Sequence, residues 1–193
     1  MIFLPFALSS ADFVGTQAYV DPVTLKKMIA FVVQQDDRTL MMGCEEEGSG
    51  ELTIGIKPAA GEYPTQGLLP TFRERFGGQG KARDRRWMVI SDRLVLDDMT
   101  LGGSKSKAQW LDDFYRDTAY HIRFQTDDGP VSASFEYGDR ARPELRKMIF
   151  ACKPKKVIAE LAKIGSELSK PPVDPAAVPP SERDVRTSEK IGR

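Results

Sequence analysis

The 193-residue chain contains two cysteines, Cys44 and Cys152, which end two apolar patterns far apart in sequence. Cys44 ends the run TLMMGC at residues 39–44, in which every second side chain falls on one face of a predicted strand. If the two sulfurs are joined, the bond closes a loop of roughly 100 residues and stabilises the fold by up to about 4.7 kcal/mol in the chain-entropy model. Two free buried thiols are the alternative, because cysteine is among the most buried residue types.

The segment that leads to Cys152, RARPELRKMIFAC at residues 140–152, has the pattern of an amphipathic helix. Pro143 suits the first helical turn, where the missing N–H has no consequence. Apolar side chains then recur at i, i+3, i+4 and i+7: Leu145, Met148, Ile149 and Cys152. Lys153 precedes Pro154, which disfavours α conformation at Lys153 and predicts that the helix ends there. Cys152 is therefore expected on the buried side of a helix end.

Most of the remaining chain consists of short segments in which apolar and polar residues alternate, as in half-buried strands. Strands are predicted at residues 28–34, 39–44, 51–57, 72–76, 86–90, 93–96, 118–126 and 131–137. Ser106 and Gln109 have the spacing of a capping box for a helix that ends near Arg116, whereas residues 12–27 indicate an irregular start or a short strand. We expect a mainly β, α+β class: an antiparallel β-sandwich-like domain with an inserted helix and C-terminal helices.

The composition of the two ends differs from that of the middle of the chain. Residues 12–153 predict a single β-rich domain, and residues 154–169 predict an amphipathic helix. Residues 170–193 are rich in proline, serine and charge, and predict a disordered tail because they cannot bury enough apolar surface. Residues 1–11 (MIFLPFALSSA) join an apolar run to small residues, like a shortened secretory signal cleaved before Asp12. An apolar first strand is the alternative.

These alternatives for the first residues decide the expected compartment. With a signal, the protein would be periplasmic or secreted, where disulfides form and persist. Without one it would be cytoplasmic. No later segment approaches the ~20 apolar residues that a membrane-spanning helix needs, so no transmembrane segment is expected.

Charge and residue types argue against several classes of function. The 28 basic and 28 acidic residues balance, which favours neither nucleic acid nor an anionic membrane surface as a partner. His121, the one histidine, has no local group to orient it as a general base, and a multi-histidine metal site is excluded. The acidic runs at residues 45–47 and 127–128 lack the ligand spacing of a calcium loop. We therefore expect no catalytic residue, no metal and no cofactor.

Two groups of residues are candidates for binding. The first is a basic rim that could contact an acidic partner or a lipid headgroup, or could simply be solvated: Arg73, Arg75, Arg83, Arg85 and Arg86. The second is an apolar set that could line a ligand cavity inside the β layer: Phe72, Phe76, Tyr120 and Phe124.

The order of the motifs over residues 28–152 carries a resemblance to a known group of proteins. The motifs are, in order, LMMGC, LTIGIK, FRERF, RRWMV, WLDDFYR, YHIRFQ, VSASFEY and LRKMIFAC. This arrangement resembles the invasion-associated locus B-like family and the similar accessory proteins of type VI secretion clusters, which are small exported bacterial proteins. The resemblance implies a β-sandwich-like domain, a periplasmic or surface location, a disulfide and no known catalytic residues.

Three hypotheses for the function remain. The first is a non-enzymatic, exported interaction module of the bacterial envelope, which binds an unknown protein partner through an exposed strand edge or through the basic rim. The second is a carrier of a small apolar ligand or lipid. The third is a cytosolic protein, for example phage- or plasmid-encoded, with free thiols.

Overall fold

The alternating segments pair into one antiparallel sheet. The computed structural model describes residues 12–20, 26–45, 50–62, 71–90, 93–96 and 103–171. The strands in these ranges are β1 (Phe13–Val20), β2 (Lys27–Gln35), β3 (Arg38–Glu45), β4 (Thr53–Lys57), β5 (Thr71–Phe76), β6 (Arg83–Ile90), β7 (Arg93–Leu96), β8 (Ala119–Thr126) and β9 (Gly129–Glu136). The helices are α1 (Gly103–Arg116), α2 (Ala141–Cys152) and α3 (Lys155–Lys163), followed by a 3-10 turn at Glu167–Ser169.

Within the described ranges the nine strands follow the order β1-β2-β3-β4-β7-β6-β5-β8-β9, and every pair is antiparallel. The predicted mainly β class, with one inserted helix and C-terminal helices, is confirmed. The predicted signal segment, residues 1–11, and the predicted tail beyond residue 171 lie outside the described residues.

The sheet bends because β6 is shared between two neighbours. Its first half, Arg83 to Arg86, pairs with β5, and its second half, Trp87 to Ile90, pairs with β7. The far ends of the sheet come together as well, since β2 contacts β9 and the side-chain Oε1 of Gln35 accepts a hydrogen bond from the backbone N–H of Glu136 at 2.8 Å. One face of the sheet is therefore on the inside of the curve.

Helix α1 occupies the inside of this curve. Trp110 and Phe114 are fully buried one helical turn apart and stack on each other. Phe114 contacts Phe31 of β2 at 5.8 Å between ring centroids, and Trp110 contacts Tyr120 of β8 at 5.2 Å. Because β2 and β8 belong to opposite halves of the sheet, these two aromatic side chains join the halves through the core.

Helix α2 is tied covalently to the inner face. Cys44 of β3 and Cys152 at the end of α2 form a disulfide, with an S–S distance of 1.99 Å and a Cα–Cα distance of 5.7 Å. Lys153 then adopts a left-handed conformation, with φ 47° and ψ 50°, and its N–H donates to the carbonyl oxygen of Ile149. The predicted bridge and the predicted end of the helix before Pro154 are both confirmed.

Residues 13–20 form a regular eight-residue strand, which is one of the two alternatives expected for residues 12–27. Two helix boundaries differ from the sequence-based expectation. Helix α1 begins at Gly103, so Ser106 lies within the helix and is not its cap. The Oγ of Ser106 instead accepts a hydrogen bond from Arg85. Helix α3 ends at Lys163, since Gly165 turns the chain with φ +68°, and only the 3-10 turn continues the helix predicted over residues 154–169.

Replacement of both cysteines by alanine tests the tie between β3 and α2. The bond closes a loop between residues 108 positions apart, so we expect the Cys44→Ala/Cys152→Ala variant to lose about 2–5 kcal/mol of unfolding free energy in urea. Reductant should destabilise the wild type to a similar extent and leave the variant unchanged. Two alkylated thiols in native protein treated without reductant would contradict the bridge.

A carboxylate that joins α2 to β1 predicts a defined pH dependence. Glu144 accepts hydrogen bonds from the Lys147 side chain and from the backbone N–H of Thr16, and these two contacts lower its pKa. A group with a lowered folded pKa stabilises the fold above its unfolded pKa of about 4.3, and this contribution is lost as the pH falls through the folded value. We expect Glu144→Gln to reduce stability by less than about 1 kcal/mol at pH 7. Urea titrations should show this difference disappear as the pH falls below about 4, and a difference that persists unchanged at pH 3 would refute the linkage.

Candidate functional site

Strand β5 presents charged side chains to both faces of the sheet. Successive strand residues point to opposite faces, so Phe72, Glu74 and Phe76 lie on the inner face, and Arg73 and Arg75 lie on the outer face. The charged side chains on the two faces differ in their burial and in their partners.

On the inner face, Glu74 is the centre of a buried group of hydrogen-bonded side chains. Glu74 is only 1% exposed. Its Oε1 accepts from the Nε of Arg83 at 2.9 Å and from the Nε of Arg85, and its Oε2 accepts from the Tyr120 hydroxyl at 3.0 Å. Arg83 also donates to Asp113 of α1. We call Glu74, Arg83, Arg85, Tyr120 and Asp113 the interior ion cluster.

Further groups of the interior ion cluster have partners of their own. Nη1 of Arg85 donates to the Oγ and the carbonyl oxygen of Ser106, at 2.8 and 3.2 Å. The guanidinium of Arg83 lies 5.2 Å above the ring of Phe76, a distance typical of a cation–π contact. The cluster thus joins β5, β6 and β8 to α1. Its hydrogen bonds and opposite charges offset the cost of burying the Glu74 carboxylate.

The pKa values of Tyr120 and Arg83 keep these two side chains in their hydrogen-bonding states. Burial, and then the charge of Glu74, raise the pKa of Tyr120 well above its usual range, so its hydroxyl remains a donor. Burial alone would lower the pKa of Arg83, but its hydrogen bonds to Asp113 and Glu74 outweigh this effect and raise it. Neither the tyrosine nor the arginine is suited to exchange protons near neutral pH, as a general acid or base must. The cluster is therefore structural.

The outer face of β5, β8 and β9 carries a different group of polar side chains. They form two rows in the register of the sheet: Arg73, Arg123 and Ser132 in one, and Arg75, His121 and Ser134 in the other. These six residues line a surface concavity of about 310 Å³. We call them the outer arginine groove.

The outer arginine groove is rich in free positive charge. Arg73, Arg123, Ser132 and Ser134 are exposed. Within the ranges that the structure describes, none of the groove's three arginines forms an ion pair. Nδ1 of His121 lies 2.9 Å from the Oγ of Ser134, which orients the imidazole ring. Such a surface can attract an anion, and its guanidinium groups suit oxyanions that accept paired hydrogen bonds.

The structure separates the five arginines of the predicted basic rim. Arg73 and Arg75 lie in the outer arginine groove, whereas Arg83 and Arg85 turn inward and bind Glu74. Arg86 lies on the outer face of β6 and is exposed. The rim as a whole remains a prediction for binding, but two of its members are committed to the core.

The four residues predicted to line a ligand cavity are all brought to the inner face. They are Phe72, Phe76, Tyr120 and Phe124, and each is buried. Trp110 of α1 packs against this set, with its ring centroid 5.5 Å from that of Phe76. The four side chains thus lie on the same face, and Trp110 packs beside them.

Two groups of residues were not found from the sequence. The partners of Arg73 and Arg75 on β8, Arg123 and His121, follow from the alternation in YHIRFQ only once the pairing of β5 with β8 is known. The burial of Glu74 can be predicted from the motif FRERF. In a strand Glu74 shares a face with the two phenylalanines of the motif, whereas the two arginines lie on the other face.

The described part of the chain has neither a metal-binding cluster nor a helix that could span a membrane. No group of three or more His, Cys, Asp or Glu side chains is arranged there to hold a metal ion. Across the same residues, no helix combines the length and the apolar character needed to cross a bilayer.

Comparison of the chain with protein-family models, with curated proteins and with solved structures gives no match. The functional proposal therefore depends on the disulfide and on the geometry of the two faces of β5.

Replacement of Glu74 tests the role of the interior ion cluster. Glu74→Leu leaves the guanidinium of Arg85, whose side chain is only 12% exposed, without its anion. Because an uncompensated buried charge is costly, we expect a loss of about 3–5 kcal/mol in urea unfolding. The double variant Glu74→Leu/Arg85→Leu should lose less than the single variant. Asp84→Asn, at an exposed position of β6, is the control and should change stability by under about 0.5 kcal/mol; equal losses in the two single variants would exclude a special role for Glu74.

Proposed function

We propose that this protein is an exported, disulfide-stabilised domain of the bacterial envelope, periplasmic or secreted, that acts by binding an anionic partner and not by catalysis. The observation that carries the proposal is the contrast between the two faces of β5. The inner charges are paired in the interior ion cluster, whereas the outer arginines are presented to solvent without carboxylate partners among the described residues. Positive charge that faces solvent in this way favours association with a negatively charged partner.

The disulfide supports the proposed compartment. Cys44 and Cys152 are 2% and 4% exposed, so their bond is part of the core. Structural disulfides persist in oxidising compartments and are rare in the bacterial cytosol. The motif order that resembles the invasion-associated locus B-like family agrees with this location, as does the signal-like pattern of residues 1–11.

The chemistry of the outer face supports binding over catalysis. His121 and Ser134 form the pair of side chains that comes closest to a nucleophile and its base. In an enzyme with a serine nucleophile, one ring nitrogen of the histidine contacts the serine. A third group, usually a carboxylate, orients the histidine through the second ring nitrogen. The one acidic residue in the lining of the groove is Glu74, and both of its oxygens bind partners in the interior ion cluster.

The carrier hypothesis has less support. An apolar ligand would need space beside Phe72, Phe76, Tyr120 and Phe124, but Trp110 packs there and is fully buried. The inner face therefore functions best as a core, which leaves the outer face for recognition.

Charge reversal on the outer face tests the proposed function. Oxidised protein is immobilised and incubated separately with envelope and cytosolic extracts of a bacterium. We expect the wild type to retain an acidic envelope component in a salt-sensitive manner, and the Arg73→Glu/Arg123→Glu variant to lose it.

The matched control for this experiment is Lys155→Glu/Lys156→Glu. It makes the same change in net charge at exposed positions of α3, which packs on α1, and it should retain the envelope component. Retention of cytosolic components alone would contradict the proposed location. Equal retention by the groove variant and the wild type would contradict the proposed surface.

A further inference from the structure

We infer that the outer arginine groove is a binding site for a compact phosphate group, either on a small phosphorylated solute or on a phospholipid headgroup. This inference rests on the proposed function, because it assigns a ligand class to the same face. It concerns the six groove residues already defined, on β5, β8 and β9.

The register of the sheet places two arginines, Arg73 and Arg123, directly opposite each other. Arg73 is the Cα partner of Arg123, and Arg75 is the Cα partner of His121 in the next row. Like charges at opposed positions of an antiparallel pair destabilise the sheet. An anion bound between the rows would replace this repulsion by attraction, so the arrangement gains most when the groove is occupied.

The groove offers many hydrogen-bond donors. Each guanidinium presents five N–H donors in a planar fork that matches phosphate oxygens, and the hydroxyls of Ser132 and Ser134 can also donate. The one carboxylate in the lining, Glu74, binds partners in the interior ion cluster, and Asp84 of β6 lies opposite Arg73 but is not among the lining residues. Several donors around a solvent-open space are what an oxyanion needs.

The size and polarity of the groove favour a compact ligand over a protein surface. Its volume of about 310 Å³ is at the lower end of the range for small-molecule sites. Protein interfaces depend on buried aromatic and aliphatic anchors. Among the groove's exposed lining side chains, Ala82 is the one apolar residue, so a protein segment would find little to anchor it.

The three cationic side chains of the groove are all arginines, with no lysine among them. Arginine is preferred where a planar, paired contact to phosphate or carboxylate is required, because its fork is pre-organised. With three guanidinium groups in two adjacent rows, the groove suits a group of high charge density. A phosphate monoester, which carries more than one negative charge at neutral pH, meets that condition, and the phosphodiester of a lipid headgroup offers the same tetrahedral arrangement of oxygens with a single charge.

The test measures two phosphate sources on the oxidised full chain. Isothermal titration with sodium tripolyphosphate probes a free solute. Sedimentation with phosphatidylcholine vesicles that contain phosphatidylglycerol, compared with vesicles of phosphatidylcholine alone, probes a headgroup. We expect saturable binding in at least one arm, and weaker binding at higher salt.

Substitution to neutral residues then identifies the site. Arg73→Gln/Arg123→Gln should weaken binding by about tenfold or more, because each guanidinium contributes charge-assisted hydrogen bonds. Lys155→Gln/Lys156→Gln, with the same loss of charge on α3, should weaken it less than about twofold. Since all four side chains are exposed, unchanged unfolding midpoints will show that the variants fold.

Every outcome of the test bears on the inference. Groove-dependent binding of tripolyphosphate alone assigns a soluble ligand, and groove-dependent binding of anionic vesicles alone assigns a headgroup. Absence of binding in both arms, or equal weakening in the groove and α3 variants, overturns the phosphate site. If an envelope component is still retained through Arg73 and Arg123 in that case, the proposed function stands with a different ligand, and if it is not retained, both fail.

Discussion

The fold depends on a covalent bond between elements that come from distant parts of the chain. The Cys44–Cys152 disulfide fixes the end of α2 to β3, and α2 in turn contacts β1, β2 and β3 on the inner side of the sheet. Hydrogen bonds between Thr16 and Glu144 hold the other part of α2 against the edge strand. The helices therefore close the open side of the curve.

A single strand shows how the same fold supports both a core and an exposed basic surface. The inner residues of β5 bring a carboxylate into the interior, where two arginines and a tyrosine compensate it. The outer residues of β5 place Arg73 and Arg75 beside Arg123 and His121. Because the interior ion cluster and the disulfide hold β5, β6 and the helices in place, the outer residues need not pair with one another to stabilise the fold.

Local pattern predicts most of the elements and little of the site. Alternation or a β-prone composition identifies β2 to β9, and the Cys152 helix is recognised from its apolar spacing. Residues 12–27 leave a short strand and an irregular start as alternatives, and the pairing with β2 decides for the strand, because it depends on residues outside the segment itself. The five rim arginines look alike in sequence, and only the pairing of β5 with β6 and β8 decides which turn inward. Ser106 shows the same limit, because a helix-capping residue by spacing serves instead as an acceptor for Arg85.

The distance between the two cysteines along the chain also sets an order of events during biosynthesis. Cys44 emerges early, and its partner follows 108 residues later, after all nine described strands and most of α2. The sulfurs can therefore join only when nearly the whole domain has left the ribosome or crossed a membrane. Oxidation is consequently a late step of biosynthesis, and the first strands are made well before it can occur.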